Sequence, residues 1–83
     1  MNTPSLTEQL ADVLMQHGWT LATAESCTGG HIAARCTDVS GSSNWFERGF
    51  VTYANEAKHE MLGVNTALIT EHGAVSQAVA QAM

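Results

Sequence analysis

Two short β-prone runs limit what this chain can fold into. One is Trp19–Ala24 (WTLATA); the other lies within Trp45–Ala54 (WFERGFVTYA), from about Gly49 to Tyr53. Both are rich in aromatic and β-branched residues and too short for helices, so both read as strands. Between them come a glycine-bearing turn at Glu25–Gly30, the helix-forming stretch His31–Thr37 (HIAARCT) and a loop dense in turn formers, Asp38–Asn44. A connection of that length suits a parallel crossover, which points to a βαβ unit.

The flanking segments read as helices. Ser5 and Glu8 match a capping box, and Leu6, Leu10, Val13 and Leu14 fall at helical spacing, with Gly18 placed to end the helix. A helix over about residues 6–17 follows. Asn55 is placed to cap a helix over 56–62 that stops at Gly63. Val64–Gly73 reads as loop or a short turn. Ala74–Met83 reads as a helix with Val75, Val79 and Met83 at apolar positions. The order is helix, strand, helix, strand, helix, helix, which argues for an α/β fold layered as α/β/α.

Two strands make a poor sheet, and a parallel pair expects helices on both faces. The 83 residues (1–83) therefore read as part of a domain, ending inside a helix. Apolar residues make up 45% and charged residues 13%, a globular composition. So little charge implies surface meant to be covered by a missing segment or a partner. The net charge is −5, with only Arg35, Arg48 and Lys58 as strong cations. That disfavours nucleic acid and anionic membrane as partners. On a helical path, nine residues part Cys27 from Cys36 by about 13 Å. A disulfide needs Cα atoms about 4.4–6.8 Å apart, so both read as reduced thiols. With no apolar run of membrane-spanning length and no signal-peptide pattern, the expected location is cytoplasmic.

The stretch Thr23–Gly30 (TAESCTGG) carries the chemistry. With a strand ending at Ala24 and a helix starting near Thr28, Ser26 sits at the strand's carboxyl end, where α/β sheets bind ligands. Helix-start N–H groups and two glycines suit an oxyanion, a phosphate or a presented nucleophile. The plainer reading is that Ser26 or Thr28 caps the helix. It is neither a G-x-S-x-G elbow nor a Walker phosphate loop. Tyr53, Asn55 and Lys58 follow the second strand, so parallel pairing brings them to the same edge. Lys58 is the only lysine. A lysine acts as a base in its neutral form, and Ser–Lys is a known nucleophilic pairing. The ordinary alternatives are a solvated Lys58 and a half-buried strand Tyr53.

TAESCTGG, GSSNWFERGFVTYANEAK and LGV…HGAVS together resemble the C-terminal domain of competence/damage-inducible protein CinA. The family's stand-alone bacterial form is a nicotinamide-nucleotide amidohydrolase. The resemblance runs from about Leu6 to Met83 and covers the first half of a domain about twice as long. It implies an amidase that converts nicotinamide mononucleotide to nicotinate mononucleotide and ammonia in pyridine nucleotide recycling. It implies Ser26 as nucleophile, Lys58 as base and Tyr53 as a polar partner. It also implies that Ser42 or Ser43 relays a proton or orients the site, and that Thr28, Gly29 and Gly30 bind substrate through backbone donors. No metal or other cofactor is implied. The absent second half implies a truncated product or fragment, or a missing half supplied by self-association or a complementing chain.

Three rival readings accompany it. The first is a non-catalytic remnant or interaction module. The second is nucleotide binding at Thr28–Gly30 without hydrolysis. The third is a metal site from Glu56, His59 and Glu60, joined by His72, although a di-iron centre needs two Glu-x-x-His motifs and only one is present.

Overall fold

A computed structural model describes residues 3–83. The elements are α1 (Leu6–His17), β1 (Leu21–Glu25), α2 (His31–Thr37), a 3₁₀ turn (Ser42–Asn44), β2 (Phe46–Val51), α3 (Asn55–Leu62), α4 (Thr66–His72) and α5 (Gln77–Ala82). The strands pair in parallel, Leu21 with Phe46 through Glu25 with Val51, with one irregularity after Leu21. The chain is a mixed α/β partial domain built on a βαβ unit. Its radius of gyration is 15.1 Å, against about 12 Å for a compact domain of this length. The excess reflects an elongated shape, 49 × 24 × 18 Å.

The helix over 6–17 forms with its capping box intact: Ser5 Oγ accepts from the Glu8 N–H, and Glu8 Oε1 accepts from the Ser5 N–H. Gly18 ends it in the left-handed region. The strands differ from the expected bounds. Trp19 is outside the sheet because its N–H closes the end of α1 on the Leu14 carbonyl and its ring stacks on His17. β1 thus begins later and runs on through Glu25. β2 begins earlier, at Phe46, and Tyr53 lies beyond it. α2 starts at His31 and not near Thr28.

The carboxyl-terminal third departs most. The segment expected to be loop contains α4, capped by Asn65 Oδ1 accepting from the Ala67 N–H at 2.9 Å. Its Thr and Ile residues are weak helix formers, but burial of Ile69 against Val64 and Val79 overrides propensity. α5 begins at Gln77 because Ser76 caps it: Ser76 Oγ accepts from the Val79 N–H at 3.2 Å. Asn55 is the first residue of α3, and Ala54 takes the cap position.

Two apolar clusters result. In the first, Trp45 packs with Ala11, Leu14 and Cys36 over Leu21 and Phe46. In the second, Val64, Ile69 and Val79 join α3, α4 and α5. One sheet face lies under α2. A Cβ on Gly49 would stand 2.8 Å from Thr23 Oγ1 on the paired strand and 3.5 Å from the Ala33 Cβ, an ordinary contact, so it is the Thr23 side chain that leaves room only for glycine there. The other face carries the exposed Ala22 and Ala24.

Candidate active site

Glu25 ends β1 with its side chain turned into the start of α2, only 6% exposed. Its Oε1 accepts from the Ile32 N–H at 2.7 Å and from Thr28 Oγ1 at 3.0 Å. Its Oε2 accepts from the Ala33 N–H at 3.1 Å. These donors, led by Ile32, hold the carboxyl below its ordinary value of 4.5 against the opposing effect of burial. Thr28 Oγ1 in turn accepts from the Gly30 and His31 N–H groups at 3.4 and 3.3 Å. The helix-start donors expected to await an oxyanion are therefore already bound, because a carboxylate supplied by the strand satisfies them. Among the described residues, the amides of Cys27, Thr28 and Gly29 donate to no protein acceptor. A Cβ at Gly29 would meet nothing within 4 Å, so the loop backbone is open to an approaching group.

Gly30 makes the turn into α2 with φ at 105°, and a side chain there would crowd Val51 at 3.3 Å. The glycine thus serves the loop–strand junction.

The carboxyl end of β2 faces this loop. Thr52 is fully buried; its N–H and Oγ1 donate to the Glu25 carbonyl at 2.8 and 3.3 Å. Lys58 is 1% exposed, and its Nζ donates to the Tyr53 carbonyl at 3.3 Å. Lys58 is not the solvated lysine of the ordinary reading. Tyr53 holds it through the backbone, while its own side chain is 75% exposed. Ser26 is half-buried and Cys27 exposed.

These groups meet in one cleft of about 290 Å³ lined by Ser26, Cys27, Tyr53, Lys58, Ala74 and Val75. Small-molecule sites usually span about 300–1,000 Å³, so this cleft is at the lower edge. A larger apolar groove of about 470 Å³ lies between α1 and α2, lined by Leu6, Leu10, Val13 and Ile32. It lacks convergent polar groups, and chemistry singles out the smaller cleft.

Ser42 and Ser43 lie in the 3₁₀ turn before β2, at the amino end of the sheet, and do not join the cleft. Thr28 and Gly30 are engaged in the loop's own hydrogen bonds. Cys36 is a buried free thiol, its titration pushed up first by burial and then by Glu25. His59 Nδ1 bonds the Val64 carbonyl at 2.9 Å. No three His, Cys, Asp or Glu side chains gather as metal ligands among the described residues.

Sequence reasoning missed Glu25 and Thr52 as structural members of this edge. Glu25 was legible by alternation, since Leu21, Thr23 and Glu25 share a strand face and an acid before a helix start fits its dipole. Thr52 depends on register, which no local pattern discloses.

Comparison with known proteins identifies the family. The profile of the CinA C-terminal domain matches residues 3–83. The chain belongs to the CinA C-terminal domain family. It is 57% identical over 74 residues to nicotinamide-nucleotide amidohydrolase PncC of Escherichia coli K12, covering 89% of this chain and 45% of that protein. It is 62% identical to a CinA-like protein of Geobacter sulfurreducens, covering 89% of this chain and 18% of that one. The crystal structure of competence damage-inducible protein A from Klebsiella pneumoniae superposes with a TM-score of 0.88 at 40% identity, covering 93% of this chain and 48% of that one. The chain spans about half the length of the PncC relatives that it matches.

Proposed function

We propose that this chain carries the nucleophile and base of a nicotinamide-nucleotide amidohydrolase. The observation that carries the reading is the meeting of Ser26, Tyr53 and buried Lys58 in one cleft at the carboxyl end of a parallel sheet. Its similarity to PncC supports a nicotinamide nucleotide as the substrate class.

In this reading the Ser26 hydroxyl attacks the carboxamide carbon of nicotinamide mononucleotide. The Lys58 side chain takes the hydroxyl proton. The negative charge on the carbonyl oxygen is met by open amides of the Cys27–Gly29 loop, the kind of preorganised dipole that lowers such barriers most. Thr28 and Gly29 contact substrate through this backbone, and Gly30 shapes the loop behind them. The lysine ammonium then gives its proton to the carboxamide nitrogen as the C–N bond breaks, and ammonia leaves. Water attacks the acyl ester and releases nicotinate mononucleotide and free Ser26. Tyr53 holds Lys58 through its carbonyl and lends its exposed phenol to the substrate. Ser42 or Ser43 assists only from a second chain, since both lie at the opposite end of the sheet. No cofactor takes part, and the reading implies a cytoplasmic chain, consistent with two free cysteines.

A second reading is favoured by the small cleft and the open α1–α2 groove. In it residues 1–83 are a partial domain that holds nucleotide without turnover until a complementing chain or a second copy completes the pocket. Ammonia release from nicotinamide mononucleotide, measured beside Ser26→Ala and Lys58→Ala, tests the first reading. Turnover lost in both variants supports it. A folded chain with no turnover, but with saturable nucleotide binding that survives Ser26→Ala, supports the second.

A further inference from the structure

The proposed nucleophile and base lie on different elements, and two hydrogen-bonded residues stand between them. Ser26 directly follows Glu25, and Tyr53 directly follows Thr52. The Glu25 carbonyl accepts both the Thr52 N–H at 2.8 Å and Thr52 Oγ1 at 3.3 Å. The Tyr53 carbonyl in turn accepts from Lys58 Nζ. A continuous path therefore runs Ser26, Glu25, Thr52, Tyr53, Lys58. On the other side of Ser26, Thr28 Oγ1 donates back to Glu25 Oε1 at 3.0 Å. That bond closes a short ring around Ser26 and Cys27. The same carboxylate is anchored to the Ile32 and Ala33 amides of α2. Glu25 and Thr52 are 6% and 0% exposed, so solvent does not compete for these bonds.

We infer that Glu25 and Thr52 are a positioning pair that sets Ser26 relative to Lys58. Neither lines the cleft. Glu25 acts through both of its ends: its side chain closes the Ser26–Cys27 ring, and its carbonyl is the point at which β2 delivers Tyr53 and Lys58. Helix capping alone needs only the side chain and gives no role to the buried Thr52 hydroxyl. Displacing a reacting group by about 1 Å can cost about 100-fold in rate, so a pair of this kind acts on turnover more than on binding.

The inference rests on the amidase reading for its kinetic consequence, but its geometry is testable separately. Thr52→Val keeps the side-chain shape and the backbone bond and removes only the hydroxyl. Glu25→Gln keeps one acceptor oxygen and sets an amide NH₂ group among N–H donors. With nicotinamide mononucleotide as substrate, Thr52→Val is expected to lower kcat about tenfold, with KM within about twofold and an unchanged melting temperature. Thr52→Ser restores kcat. Glu25→Gln lowers kcat further, and the double variant falls short of the product of the single losses. Amide NMR of the same chains is the second readout. Glu25→Gln is expected to shift Tyr53 and Lys58, and Thr52→Val to shift Thr28 and Gly29. If Glu25→Gln changes residues 28–33 alone and both variants keep parental kcat, Glu25 is only a helix cap and the inference is overturned. If the parent chain releases no ammonia, the amidase reading fails for this chain, and the NMR shifts alone decide the positioning pair.

Discussion

The carboxyl end of the sheet holds Glu25, Thr52 and Lys58, the three buried polar or charged residues among those described. The amino end is closed by Trp45, 2% exposed, over Ala11, Leu14 and Cys36. The contrast separates two jobs. Burying an indole against aliphatic groups stabilises the fold directly, by the apolar area removed from water. Burying a carboxylate, a hydroxyl and an amine costs free energy that hydrogen bonds at best offset. A chain this small has little stability to spare, about 4–12 kcal/mol by the usual per-residue range. Polar burial concentrated at one edge is therefore best explained by what that edge does.

The comparison is broken most directly at the carboxyl end. Ser26→Ala should reduce ammonia release by about 1,000-fold or more while the thermal midpoint stays near that of the parent. Lys58→Met should lose turnover to a similar degree yet match or exceed the parent in stability, because a methionine fills the same space without burying an amine. A folded Lys58→Met chain with full turnover would end the assignment of Lys58 as base.

At the amino end the sign reverses. Trp45→Ala should cost about 3–5 kcal/mol in urea unfolding, enough to leave much of the chain unfolded. Gly49→Ala, at the sheet's middle, should cost about 1–3 kcal/mol, since its new methyl meets Thr23 Oγ1 at 2.8 Å. A neutral result would mean that the Thr23 hydroxyl turns away from the new methyl at no cost.

Acid sharpens the comparison further. Because the Ile32 amide and its companions hold the Glu25 carboxyl below 4.5, the folded chain binds fewer protons there than the unfolded chain. The stability from this group is complete above pH 4.5 and is lost as pH falls through the lower, folded value. Glu25→Gln should flatten that part of a melting-temperature profile. The smallest effect belongs to exposed charge: Arg48→Ala removes a surface pair with Glu47 and should change stability by no more than about 1 kcal/mol.

Much of the local structure was legible in the sequence. The capping box at Ser5–Glu8, the stops at Gly18 and Gly63 and the helix His31–Thr37 follow from short-range chemistry, in which donors and acceptors lie within a few residues of one another. The parallel crossover followed from the length and content of the connection between the strands. The family was legible in long shared motifs, because those motifs run over most of the chain. Ser26 and Lys58 could be named from them, and their arrival at one sheet edge could be argued from parallel pairing alone.

Tertiary structure decided the rest. α4 forms because Ile69 packs with Val64 of the preceding loop and Val79 of α5, a partner ten residues on that no local propensity announces. The start of α2 is capped by a carboxylate seven and eight residues back along the chain, beyond the reach of a local cap pattern. Thr52 meets Glu25 across 27 residues through strand register. Ser42 and Ser43, adjacent to the site in the motif's order, lie at the other end of the sheet because a strand carries the chain away from them. Sequence determines which groups can bond to near neighbours. Only the packing of one element on another decides which distant groups share a buried space, because that choice minimises exposed apolar area and unpaired polar atoms over the whole chain.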